Sequence, residues 1–383
     1  MPEQLIKPDL NFVKDIIASG GESLKKCYQC STCTVVCGVT PDEKPFPRKE
    51  MMYAQWGMKD KLISNPDVWL CHQCSDCTAY CPRGAKPGEV LGAIRKMAIK
   101  NYSAPSALAN MTADPKYLIL LFALPVLIFL GIIGSLGHFS DIPRGEDGGI
   151  VYSHFIPVPY IDTVFILASA FAVISFFMGI KKYWADMSAG MQLKGNVMDS
   201  LKATIVDILS HDRFQKCNVT KDRSTAHMLV FYAFIGLAVT TGWGVLYLYG
   251  HEIFGIQGTS LFHFGETPYP LYDPMKIVGN ASAFALLLGM LFVTANRMKN
   301  AEKAGSGSYF DWLFIVVIFT IVVTGILSEV LRLADVDPIA YIVYFIHLVF
   351  IFFLFAYAPF SKMAHMVYRA TAMVFARHAQ REG

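Results

Sequence analysis

The sequence predicts an all-α protein in two parts, a small cysteine-rich helical domain followed by six helices that cross a membrane. Two observations carry this. Hydrophobic residues make up 54% of the 383-residue chain, with a mean hydropathy of +0.41 and only 16% charged residues, well outside the composition of an ordinary soluble domain. Eight of the nine cysteines fall before residue 82, in a segment without long apolar runs. The net charge of +3 is too small to indicate a nucleic-acid partner. The opening residues, MPEQLIKPDL, are polar and lack the apolar centre of a signal peptide.

Taken in order, residues 1–113 form the polar domain, and residues 114–383 the membrane domain, with the boundary near NMTADPK. The polar domain's cysteines occur as CYQCSTCTVVC (Cys27, Cys30, Cys33, Cys37) and CHQCSDCTAYCP (Cys71, Cys74, Cys77, Cys81). Both read C-x2-C-x2-C-x3-C, the spacing of a pair of [4Fe–4S] clusters in which the fourth cysteine of each run serves the other cluster. The expected sets are Cys27, Cys30, Cys33 with Cys81, and Cys71, Cys74, Cys77 with Cys37. Zinc usually takes cysteine pairs with a longer spacer, and a disulfide framework conflicts with a reducing compartment. Between the runs, RKEMMYAQWGMKDKLI has helical periodicity, which predicts an α-helical ferredoxin rather than a β-sheet one. Cys217, alone in a basic loop, reads as an ordinary thiol.

The expected spans are 117–137, 160–180, 227–249, 276–295, 310–331 and 341–360, each long enough for a bilayer core of ~30 Å. Lys181, Lys182, Lys194, Lys202, Arg213, Lys216, Lys221 and Arg223 crowd the loop after the second span. Arg297, Lys299 and Lys303 follow the fourth, and Arg369, Arg377 and Arg381 the sixth; Arg144 and Arg332 are the few bases on the other side. This bias places the cysteine domain and both termini in the cytoplasm, at the cytoplasmic (inner) membrane.

Ionisable groups inside a bilayer are costly and mark function. In HLVFIFFLFAYAPFSKMAH, residues 347–365, His347 and His365 are five helical turns apart and would share one face of one helix, ~27 Å apart. His227 opens the third span on the same side as His365, so His227 and His365 form a candidate bis-histidine pair for an inner haem b. His347 needs an outer partner, from His138, His154, His251 or His263. His154, in YSHFIPVPYID, is preferred for an outer haem because the following prolines can pin it to the membrane; the alternative is one haem, with His347 against a quinone. His72 reads as a surface residue or one behind the cysteines, and His211 and His378 have no evident role. Glu329, in GILSEVLRLADVDP, is the candidate proton acceptor for quinol oxidation, against the plainer reading of a pair with Arg332.

Residues 1–113 resemble the small iron–sulfur subunit of heterodisulfide reductases. Residues 117–383 are similar to the cytochrome b of respiratory nitrate reductases, His347 and His365 matching the histidines of that family's last span and His227 the first histidine of its other ligand span. The sequence departs at Leu237, where the family has its second histidine. The fusion most resembles the membrane subunits of the quinone-interacting membrane-bound oxidoreductases (Qmo) of sulfate-reducing microbes. That resemblance implies menaquinone as the membrane pool, cytoplasmic flavoprotein/iron–sulfur partners (QmoA- and QmoB-like), and electron transfer beside adenylylsulfate reductase in sulfate respiration. The alternatives are a heterodisulfide reductase-type subunit and a haem-stabilised anchor without quinone chemistry. A transporter is disfavoured because the spans lack paired broken helices.

Overall fold

The computed structural model describes residues 7–189, 191, 193–218, 222–259, 261–264, 268–299 and 308–381. The chain is all-helical, with no strand among the described residues. Lys221 and Lys303 of the basic loops lie outside those residues.

The cysteine-bearing head is built on α1 (Leu10–Ile16), α2 (Arg48–Gln55) and α3 (Pro87–Tyr102). Asp9 caps α1 by accepting the Phe12 N–H at 3.0 Å. Pro87 opens α3 at the one position where a missing N–H costs nothing. Phe12, Ile16, Leu24, Trp69, Leu91 and Ile94 form the head's buried centre. The helix Ser106–Ala113 leads from the head towards the membrane.

Six helices are long and apolar enough to cross a bilayer, consistent with a multi-pass membrane protein. They are α4 (Leu118–Ser135), α5 (Val158–Ser188), α7 (Asp222–Phe254), α8 (Pro274–Lys299), α9 (Tyr309–Leu333) and α10 (Ile339–Ala356); α6 (Val197–Ser210) lies between the second and third spans and α11 (Ala364–His378) follows the last. At 31 residues, α5 is ~46 Å long, well beyond a ~30 Å core. The excess docks on the head. The Tyr183 ring lies tilted to Tyr102 and edge-on to Tyr368, at 5.0 and 5.8 Å, and Asp186 accepts the Tyr102 hydroxyl at 3.0 Å.

The expectation that His347 and His365 share one helix is corrected. α10 ends at Ala356, a 3-10 turn covers Ala358–Phe360, the backbone extends at Ser361, and α11 begins at Ala364. Pro359 explains the break: it has no N–H for the Phe355 carbonyl, and its ring crowds that carbonyl. His347 therefore stays in the span, whereas His365 sits at the start of a separate helix packed on the head. Tyr368, Met373 and Phe375 of α11 share one buried core with Trp69 and Leu91. Arg381, just past α11, donates to both Asp67 carboxylate oxygens at 2.9 and 2.8 Å with both partners buried.

Candidate functional site

The two cysteine runs fold into the same loop twice. Gln29 and Ser31 in the first, Gln73 and Ser75 in the second, have φ of 62°, 68°, 52° and 68°. Left-handed backbone is unfavourable for such residues and persists where the surroundings demand it. Here it turns backbone N–H groups inwards, the arrangement that receives anions and iron–sulfur clusters. Gln73 N–H indeed points at the Cys71 sulfur, at 3.3 Å.

Cys27, Cys30, Cys33 and Cys81 line one cavity together with Arg48 and Arg83. Cys37, Cys71, Cys74 and Cys77 are mutual electrostatic neighbours in a second group. All are free thiols. Burial pushes the Cys33 thiol up to about 11 and the Cys37 thiol up to about 12. Holding them as thiolates requires a cationic group, and the donor set of four thiolates on inward-turned N–H loops fits a [4Fe–4S] cluster at each place. The two places differ in exposure: Cys30 is exposed, whereas Cys71 and Cys77 are buried.

The second group is closed over by residues 211–218 and the start of α7. Asn218 N–H donates to Asp76 at 3.0 Å, and Arg223 to the Gln73 carbonyl at 2.8 Å. The Lys216 carbonyl lies so near Gly38 that a Cβ there would sit 2.4 Å from it. The sulfur of Cys217 lies within 4.8 Å of the Cys74 sulfur and an Asp76 carboxylate oxygen. Cys217 is thus a buried neighbour of the cysteine group, which corrects its reading as an ordinary loop thiol. Arg369 contacts His72, and burial, with Arg95 and Arg213 nearby, pulls Arg369 down to about 9. His72 is buried rather than superficial.

His365 and His227 face this same end. His365 Nδ1 lies 2.5 Å from the Lys362 carbonyl, which can only accept, so the ring proton is on Nδ1 and Nε2 is a free lone pair. Burial lowers the His365 imidazole to about 4, keeping it neutral near pH 7. His365 is an electrostatic neighbour of His227, whose Nδ1 meets His211 Nε2 at 3.2 Å. Neutral, Nδ1-anchored imidazoles are the donor set a haem iron takes, so this pair fits a haem b. Phe214 touches His72 and His227, its ring centre 4.8 and 4.7 Å from theirs.

At the far end, His347 Nδ1 meets Thr324 Oγ1 at 3.0 Å; the Thr324 hydroxyl donates to the Thr320 carbonyl at 2.6 Å, so the imidazole again holds its proton on Nδ1. A Cβ on Gly325 would sit 3.0 Å from the His347 ring, so a glycine is what admits the ring there. His154 is exposed and turns Nδ1 to the Arg144 carbonyl at 3.1 Å, while its neighbours Tyr152 and Phe155 pack on α10. A pairing of His154 with His347 has no support in this arrangement. Of the other histidines considered, His138 bonds the Phe155 carbonyl, His251 the Ile256 carbonyl, and His263 is buried against Asp273 at 3.0 Å. Leu237 belongs to an apolar cluster with Leu286 and Val322. Glu329 pairs with Lys276 of α8 at 3.0 Å and accepts from Asn280 at 3.2 Å; its ion-pair partner is Lys276, not Arg332. His378 is buried beside Trp184.

The fold and the cysteine geometry define an iron–sulfur, multi-pass protein of the oxidoreductase class. Residues 23–85 match the 4Fe-4S dicluster domain family. The head is 38% identical over 102 residues, 26% of this chain and 54% of the relative, to a component of the H(2):CoB-CoM heterodisulfide,ferredoxin reductase of Methanothermobacter marburgensis. It is also 36% identical over 96 residues, 23% of this chain and 51% of the relative, to an iron-sulfur component of the CoB--CoM heterodisulfide reductase of Methanocaldococcus jannaschii. Over 155 residues, 40% of this chain and 54% of the relative, the chain is 24% identical to a component of the dihydromethanophenazine:CoB--CoM heterodisulfide reductase of Methanosarcina thermophila. The chain spans about half the length of these relatives. No solved structure matches it. An HdrC-like iron–sulfur head joined to an HdrE-like region is consistent with the fusion seen in Qmo-type membrane subunits.

Proposed function

We propose that this chain is the membrane subunit of a respiratory oxidoreductase complex, linking menaquinol in the lipid phase to flavin and iron–sulfur subunits docked on its head. Cys27, Cys30, Cys33 and Cys81 would hold one [4Fe–4S] cluster, Cys37, Cys71, Cys74 and Cys77 the other, and His227 with His365 a haem b. Bound there, these groups supply the one-electron chemistry that side chains lack. The chain's own residues fix the spacing. The left-handed loops aim N–H groups at the sulfurs, and the Lys362 carbonyl orients His365. Three guanidinium groups, Arg95, Arg223 and Arg369, offset negative charge around the second cysteine group. The observation that carries the reading is Phe214, in contact with His72 beside Cys71 on one side and with His227 on the other. That juxtaposition supports a path between the second cysteine group and the histidine pair.

The basic loops support a cytoplasmic head, and the resemblance points to adenylylsulfate reductase as the eventual acceptor. Glu329, tied to Lys276 and Asn280, is the proposed proton acceptor at the far end, since a quinol that gives up two electrons also sheds two protons. Anaerobic addition of a menaquinol analogue to the purified protein is expected to reduce haem optically and then give cluster EPR signals; haem that stays oxidised would leave the anchor reading. A heterodisulfide reductase-type assembly is the second reading, favoured by the names of the relatives, and the subunits that co-purify distinguish the two.

A further inference from the structure

We infer that His211 is the positioning residue of His227, setting which nitrogen of that imidazole is free to bind iron; this rests on the haem reading above. At the end of α6, carbonyls without helical partners need donors. The Leu209 carbonyl receives the Tyr232 hydroxyl at 2.5 Å and His211 Nδ1 at 3.2 Å. A carbonyl only accepts, so the neutral His211 ring carries its proton on Nδ1 and presents a lone pair at Nε2. That lone pair faces His227 Nδ1 at 3.2 Å. Two lone pairs would repel, so His227 Nδ1 must be the protonated nitrogen, leaving Nε2 of His227 bare.

The backbone carries a second mark of this arrangement. His211 is 4% exposed and sits at φ 56°, ψ 22°, the left-handed position after a helix that glycine or asparagine usually fills. A histidine there costs conformational energy, and its ring is then wedged against Phe231 and Phe214 with centres 4.9 and 5.5 Å away. The strain places a ring-nitrogen acceptor behind His227 that a glycine could not supply. An acceptor on Nδ1–H makes the opposite nitrogen a stronger donor, which favours the oxidised iron and lowers its potential. His211 thus couples the end of a surface helix to the redox poise of the inner site.

The test is a redox titration of the purified, cofactor-loaded full-length protein, wild type against His211→Phe, which keeps the ring packing and removes the acceptor. The expected result is a higher midpoint and a displaced low-spin EPR signal, or loss, for the haem that His227→Ala abolishes, with both cluster signals intact. An unchanged midpoint and line shape would overturn the inference. If His211→Phe fails to assemble, proton ENDOR on wild-type ferric protein with 15N-labelled histidine decides. A ligand Nδ1 proton shared with a second histidine nitrogen supports the relay, and its absence overturns it. Failure of the haem reading looks different: no low-spin haem in the wild type that depends on His227.

Discussion

At the residue scale, the most consequential side chains are those whose protonation the fold dictates. Glu50 is fully buried beside Lys49, and burial raises its carboxyl to about 7. The sign follows from linkage: between the unfolded value near 4.5 and about 7 the folded state holds a proton that the unfolded state has lost, so stability falls as pH rises through that window. Glu50→Gln should therefore be more stable than wild type at pH 8, by at most about 3 kcal/mol, and no more stable at pH 4. Thermal loss of cluster absorbance at the two pH values measures this, and equal profiles would remove Glu50 as a source of pH dependence. His227→Ala and His365→Ala are each expected to delete one low-spin haem while leaving the cluster signals; haem retained in full by both variants would end the pairing. Glu329→Gln should slow haem reduction by a menaquinol analogue without changing haem content, and unchanged kinetics would reduce Glu329 to a partner of Lys276.

At the element scale, Pro359 and the segment after α6 matter most. Pro359→Ala lets α10 run on towards α11, which should swing His365 away from the Lys362 carbonyl and lower haem content several-fold; a wild-type haem spectrum would show that the break has other causes. Cys217, 3% exposed, should resist alkylation in the loaded protein and react once the protein is denatured. These elements also mark what the sequence reveals. The cysteine loops are legible because their signal is eleven residues long and local, and the spans because bilayer thickness dictates apolar length. Pro359 is visible but lies near the end of an apolar run flanked by histidines five turns apart, so the spacing alone suggests one helix. Cys217 and His211 were not legible at all: their roles come from contacts with Cys74 and His227, across 143 and 16 residues, which no spacing rule encodes.

At the scale of the whole molecule, head and membrane helices share one core. Asp67 and Arg381 are its clearest tie, both buried, 2.8 Å apart. Arg381→Ala would leave the buried Asp67 carboxylate held by Lys49 alone, 2.9 Å away, so the loss should be smaller than the about 3–5 kcal/mol of an uncompensated buried charge. Arg381→Ala should accordingly lower the temperature at which cluster absorbance is lost, while Arg369→Ala, at the His72 contact, would perturb the second group more locally. The unequal wrapping of the two cysteine groups has a further consequence. Cys30 meets solvent, whereas Cys71 and Cys77 are walled in by the segment 211–218 and α11. Under air or a chelator, decay should begin at the tip and travel inward, so that on the proposed path the protein first loses its outlet and only later its link to the membrane. Damaged molecules would then be stalled with electrons stranded on the inner side.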